Sequence, residues 1–207
     1  MLRTLLLAFA LAGTASAQSP WLPRVAKALQ SSPGWKVNLQ WTVKPPAGGL
    51  AKPRTTDGTL LLADGNRFRF TSEAMSALSD GTTAWQYSPA TGQVLVQSLA
   101  RLDASQLPGT LLAQALTGSE TSSRRESRDG RQTMRLELAV GKGALAKFSR
   151  ATLWANPDDH RPVRILLADA QGSETIWDLR TWKRWKPKAG EFAWKPVPGA
   201  ETVDLRD

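Results

Sequence analysis

The sequence predicts a mainly β protein, an antiparallel meander with few helices. Three observations support this. Trp35, Val37, Leu39, Trp41 and Val43 alternate with Lys36, Asn38, Gln40, Thr42 and Lys44, the period of two of a strand with one apolar face. Asp-Gly pairs recur at 57–58, 64–65, 80–81 and 129–130 between short apolar segments, and glycine supplies the positive φ that tight hairpin turns need. Helical spacing is confined to two short segments.

Before the first strand, Leu22, Val25, Ala26 and Leu29 recur at helical spacing over Trp21 to Gln30, and Ser31-Ser32-Pro33-Gly34 ends the helix. After the strand, residues 45–53 form a Pro/Gly/Lys loop. Asp57-Gly58 is read as a turn before a strand at Thr59–Ala63. Asp64-Gly65 leads into Asn66–Thr71, where Phe68 and Phe70 oppose Arg67 and Arg69. Strands at Met75–Ser79, Thr82–Tyr87 and Gln93–Ser98 follow, joined by Asp80-Gly81 and by Ser88-Pro89-Ala90-Thr91-Gly92. Asp103-Ala104-Ser105 then offers N-caps for a second helix, with Leu107, Leu111, Leu112, Ala115 and Leu116 as its apolar stripe and Gly118 at its end. Ser119–Arg131 is a polar stretch ending in Asp129-Gly130. Strands resume at Met134, Leu136, Leu138 and Val140, then at Phe148–Ala155, Val163–Asp169, Ser173–Trp182 and Glu191–Lys195. Nothing in 18–207 reads as a linker, so these residues are expected to form one domain.

The first 17 residues read as an export signal. Arg3 supplies the positive start, Leu5–Ala12 the apolar run, and Ala15-Ser16-Ala17 the small-x-small pattern, with cleavage expected after Ala17. No later apolar run is long enough for a transmembrane helix.

Composition removes several kinds of chemistry. The 207 residues include no cysteine and one histidine, His160, which excludes disulfides, thiolate metal sites and cysteine nucleophiles. Asp158-Asp159-His160 beside Asn156-Pro157 reads as a turn. No serine sits in a Gly-x-Ser-x-Gly elbow, and Gly141-Lys142-Gly143 lacks the spacing of a phosphate loop. The chain is read as a nonenzymatic binding protein with no cofactor and no metal.

Charge and aromatics are more informative. There are 27 Lys and Arg against 18 Asp and Glu, a formal charge of +9. Basic residues cluster at Lys183, Arg184, Lys186 and Lys188 around Trp182 and Trp185, and at Arg124, Arg125, Arg128 and Arg131. Basic and aromatic residues together can bind nucleic acid, but export argues against that partner and favours anionic lipid or an acidic protein. Of the nine tryptophans, Trp35, Trp41, Trp85, Trp154 and Trp177 fall on the apolar phase of strands. They suit either a two-layer β core or a curved sheet that holds an apolar ligand under the second helix.

Two blocks of residues resemble a known family. The first is Asp57-Gly58-Thr59-Leu60-Leu61-Leu62, Asn66-Arg67-Phe68-Arg69-Phe70, Leu78-Ser79-Asp80-Gly81-Thr82-Thr83-Ala84-Trp85-Gln86-Tyr87-Ser88-Pro89 and Gln93-Val94. The second is the ending Glu191-Phe192-Ala193-Trp194-Lys195-Pro196-Val197-Pro198-Gly199-Ala200-Glu201-Thr202-Val203-Asp204. In order and spacing both are similar to the LolA family of lipoprotein carriers. The resemblance implies an incomplete, open antiparallel β-barrel with short helices as a lid over an apolar cavity. It implies a monomeric periplasmic carrier that takes acylated lipoprotein, or related lipid, from an inner-membrane ABC transporter complex to an anchored outer-membrane acceptor. A glycolipid carrier or a lipoprotein sensor of the same fold is the alternative. The expected cavity and lid residues are Trp35, Val37, Leu39, Trp41, Leu60, Leu62, Phe68, Phe70, Trp85, Leu107, Leu111, Leu112, Leu116, Leu136, Leu138, Trp154 and Trp177. One departure stands out. The family's Arg-Pro-Asn turn, whose arginine helps hold the lid shut, is replaced by Asp64-Gly65-Asn66. Arg67, another basic residue, or a different closure takes that role.

Overall fold

The computed structural model describes residues 20–48, 50–101, 112, 118–141 and 145–206. The proposed signal segment, and Leu107, Leu111 and Leu116 of the expected second helix, lie outside the described residues. Helix α1 spans Leu22–Gln30. The strands are β1 (Gly34–Lys44), β2 (Arg54–Ala63), β3 (Arg67–Ser72), β4 (Ser76–Asp80), β5 (Thr83–Ser88), β6 (Gln93–Ser98), β7 (Glu120–Arg128), β8 (Arg131–Leu138), β9 (Phe148–Ala155), β10 (Pro162–Asp169), β11 (Glu174–Arg184) and β12 (Glu201–Asp204).

All twelve strands join one sheet in the order β12-β6-β5-β4-β3-β2-β1-β11-β10-β9-β8-β7. Neighbours are antiparallel, except that β12 lies parallel to β6. β12 and β7 are its free edges, so the barrel is open.

The turns explain the meander. Gly65 and Asn66 both have positive φ between β2 and β3, as do Asp129 and Gly130 between β7 and β8. Asp80 closes the β4–β5 turn by accepting from the backbone N–H of Thr82 and Thr83. Asp57-Gly58 is different. It lies inside β2, where Gly58 pairs with Leu39 and Ser72. The expected turn there is corrected to a continuous strand.

Two more expectations are corrected. Ser119–Arg131 contains the edge strand β7, which carries no apolar alternation because polar side chains suit an exposed edge. Glu191–Lys195 forms no strand and is laid against the sheet's outer face.

Register places the core. One row across five strands runs Leu136, Leu153, Ile165, Trp177 and Trp41. A second runs Val37, Leu60, Phe70 and Ala77. Except for Trp41, which is half-buried and packs against it, both belong to one buried cluster with Leu22 and Val25 of α1. β3 and β11 are three strand spacings apart, roughly 14 Å in a flat sheet. Yet the rings of Phe70 and Trp177 lie 6.0 Å apart, so the sheet curls and its aromatics lean inward.

Candidate functional site

The concave face is where the alternating apolar residues converge. Trp35, Val37 and Leu39 of β1, Leu60 of β2, Phe68 and Phe70 of β3, Leu136 and Leu138 of β8 and Trp177 of β11 are all buried on it. Leu62 and Trp41 are half-buried and pack against the same cluster. Leu112, the one described residue of the expected second helix, is helical and buried with them.

At the centre are three rings. Trp41 and Trp177 stack with centroids 4.8 Å apart and planes 12° from parallel. Phe70 meets Trp177 edge-on at 6.0 Å and Trp41 at 6.4 Å. Gly58 permits this, because a Cβ there would stand 2.5 Å from Phe70 Cε2. The strand thus omits one side chain so that the Phe70 ring can lie across it. Among the described residues Trp41 Nε1 and Trp177 Nε1 are buried without an acceptor, each at a cost of about 1–3 kcal/mol.

At the α1 end, Trp35 donates its indole N–H to the Leu29 carbonyl at 2.7 Å, pinning the helix to β1. A mainly apolar cavity of about 200 Å³ lies here, lined by Leu29, Trp35, Leu62, Phe68 and Leu112 among others. Beside it, a wider cleft of about 670 Å³ is bordered by Arg24, Lys27, Arg161 and Arg184.

Two expected cavity residues stand on the opposite face. Trp85 pairs with Leu78 and Val96, in the row of Arg69 and not of Phe70. It stacks on Trp194 at 5.9 Å with planes 4° apart. Trp154 pairs with Arg135 and Arg164, and its indole donates to Glu126. The guanidiniums of Arg128, Arg135 and Arg164 lie 5.3, 5.6 and 5.9 Å from the Trp154 ring. Both corrections have one cause: cations and aromatics cover apolar surface on the outer face, so apolar character alone does not mark the inside.

Sequence reasoning also missed members of the concave face. Met134, Leu153 and Ile165 are buried there, and Trp182 packs edge-on to Trp35 at 5.7 Å. Their strands were legible, and pairing them in register with β1 would have placed them. Arg67 contacts the Asp64 carbonyl at 2.9 Å and lies 5.6 Å from the Phe192 ring. Of the alternatives for the lid arginine, Arg67 is therefore engaged by its own turn and by the C-terminal segment. Asp158, Asp159 and His160 form the β9–β10 turn, where Asp159 pairs with Arg161 at 2.5 Å. Burial raises the Asp159 carboxyl's pKa, but hydrogen bonds and charge from Arg161 outweigh it, and the net value falls below the ordinary 3.8.

The fold and its site define a class: a mainly β protein whose single open sheet curls around one aromatic-rich apolar face. The chain belongs to the family described as "Outer membrane lipoprotein carrier protein LolA", whose model matches residues 40–195. It is 33% identical over 132 residues to an outer-membrane lipoprotein carrier protein of Alcanivorax borkumensis, covering 59% of this chain and 58% of that one. It is 31% identical over 134 residues to one of Bordetella pertussis, covering 62% and 59%. The match thus spans under two thirds of these relatives' length. A solved structure of an uncharacterized conserved protein from Thermus thermophilus shares the fold, with a TM-score of 0.56 at 15% identity, covering 89% of this chain and 96% of that one.

Proposed function

We propose that this protein is a periplasmic carrier of acylated lipoprotein, or of related acylated lipid. The signal segment is removed after Ala17, and the acyl chains are shielded on the concave face during passage. Cargo comes from an inner-membrane ABC transporter complex and goes to an anchored outer-membrane acceptor. The observation that carries this is the continuous concave apolar face of a sheet left open at β7 and β12. Family membership supports it.

The physics suits carriage without catalysis. Each buried CH₂ contributes about 0.8 kcal/mol, so two acyl chains are held firmly once enclosed. Release then follows from a higher affinity at the acceptor, and no covalent step is needed.

The mature protein, offered acylated lipoprotein or free diacyl lipid, should appear in native mass spectrometry with the added mass of cargo. A protein that stays empty with both ends the carrier reading. The acyl chains should also be lost when Phe70 is replaced by Glu, with strand content by circular dichroism largely retained. Unchanged affinity in F70E would mean that the concave face is a sealed core.

A further inference from the structure

We propose that the stacked pair Trp41 and Trp177 is a carbonyl-recognition subsite, whose two indole N–H groups donate to the ester carbonyls at the head of a diacyl cargo. The inference rests on the carrier reading and adds a specificity element to it.

The first ground is an imbalance in hydrogen bonding. Trp35 and Trp182 also line the concave side, and each donates its N–H to a backbone carbonyl, of Leu29 and Pro162. Trp154 on the outer face donates to Glu126. The Nε1 atoms of Trp41 and Trp177 are buried and find no acceptor among the described residues. Buried donors are ordinarily satisfied, and phenylalanine would fill such a place without the penalty. A pair of orphaned donors on one apolar face is explained by an acceptor that arrives with the ligand.

The second ground is position along β1. Trp35, Val37 and Leu39 are buried, Trp41 is half-buried, and Val43, next on the same face, is 38% exposed. The exposed Arg54 pairs with Val43 at this rim. Trp41 therefore sits where the apolar face gives way to solvent. An acyl chain directed toward Leu39 and Phe70 leaves its carbonyl at this level. A diacyl lipid presents two ester carbonyls, and the indole pair presents two donors.

The test compares 1,2-dipalmitoylglycerol with 1,2-dihexadecylglycerol, the diether that keeps the chains and lacks the carbonyls. The wild-type protein should bind the diester about fivefold more tightly for each hydrogen bond made, about 25-fold for both. In W41F and W177F the ratio of diester to diether affinity should fall toward one. On wild-type protein, the Nε1–H resonances of these two indoles should move downfield with the diester and not with the diether, which tests the idea even where W177F does not fold. Equal affinity for both lipids, with unmoved resonances, overturns the subsite and leaves the carrier reading standing. Variants that weaken diester and diether alike also overturn it, since the rings then serve only as packing. Binding of neither lipid ends the carrier reading, and the subsite with it.

Discussion

Gly58 shows how one missing side chain organises the site. It has no turn to make, since it lies within β2. Its role is to leave room for the Phe70 ring, which then reaches Trp41 and Trp177. In G58A the ring must shift or the strand must bend, and overpacking of this kind costs about 1–3 kcal/mol. Urea denaturation should show that loss in the wild-type background. In F70A the same substitution should cost far less, because the obstructing ring is gone. An equal cost in both backgrounds would mean that Gly58 serves the strand's backbone. Asp80 offers a second test at this scale. Burial raises its pKa, but the N–H groups of Thr83 and Thr82 and the Thr82 hydroxyl outweigh that, holding it below the ordinary 3.8. A carboxylate of lowered pKa gives stability that is present above its unfolded value and lost as pH falls through the folded one. The urea midpoint should therefore drop as pH falls below about 4. D80N should be less stable at neutral pH and should lose less on acidification.

Helix α1 shows an element held from outside. It has no side-chain cap of its own. Instead Glu120, from the far edge strand β7, accepts from the N–H groups of Trp21 and Leu22 at 2.6 and 2.8 Å. A carboxylate suits a helix N-terminus, and losing such a cap costs about 0.5–2 kcal/mol. In E120A, amide exchange should accelerate across Leu22–Gln30 more than across β1, and cargo should load faster. Uniform exchange would mean that the cap has no local role. Elements like α1 and β1 were legible in the sequence because each has one wet and one apolar face. β7 was not, since a polar edge strand has no such contrast. Glu191–Lys195 alternates like a strand, yet Trp194 packs on Trp85 as part of a cover for the outer face. The candidate site was legible in part for the same reason. On β1 and β3 the Trp/Phe/Leu phase lies on the concave face. Trp85 and Trp154 alternate as strand residues do, but the outer face also carries aromatics, so phase alone does not decide the side. Only register, carried strand by strand from β1, does that.

At the scale of the molecule, size dictates motion. The apolar cavity beside α1 holds about 200 Å³, below the roughly 300–1,000 Å³ of pockets that take drug-sized ligands. On the same face Phe70 and Trp177 are fully buried. On the carrier reading, the molecule must open before two acyl chains enter, and the elements packed along the open side are the ones to move. α1 is such an element, docked through Leu22, Val25 and Leu29. The absence of cysteine makes the motion easy to arrest, since an introduced pair of thiols has no competitor. Leu29 of α1 and Leu62 of β2 line the same cavity. With both changed to Cys and joined by a short thiosulfonate cross-linker, α1 is tied to the sheet. The cross-linked protein should take up no diacyl lipid, and reducing agent should restore uptake to the level of the unlinked double variant. Full uptake while cross-linked would show that cargo enters without displacing α1.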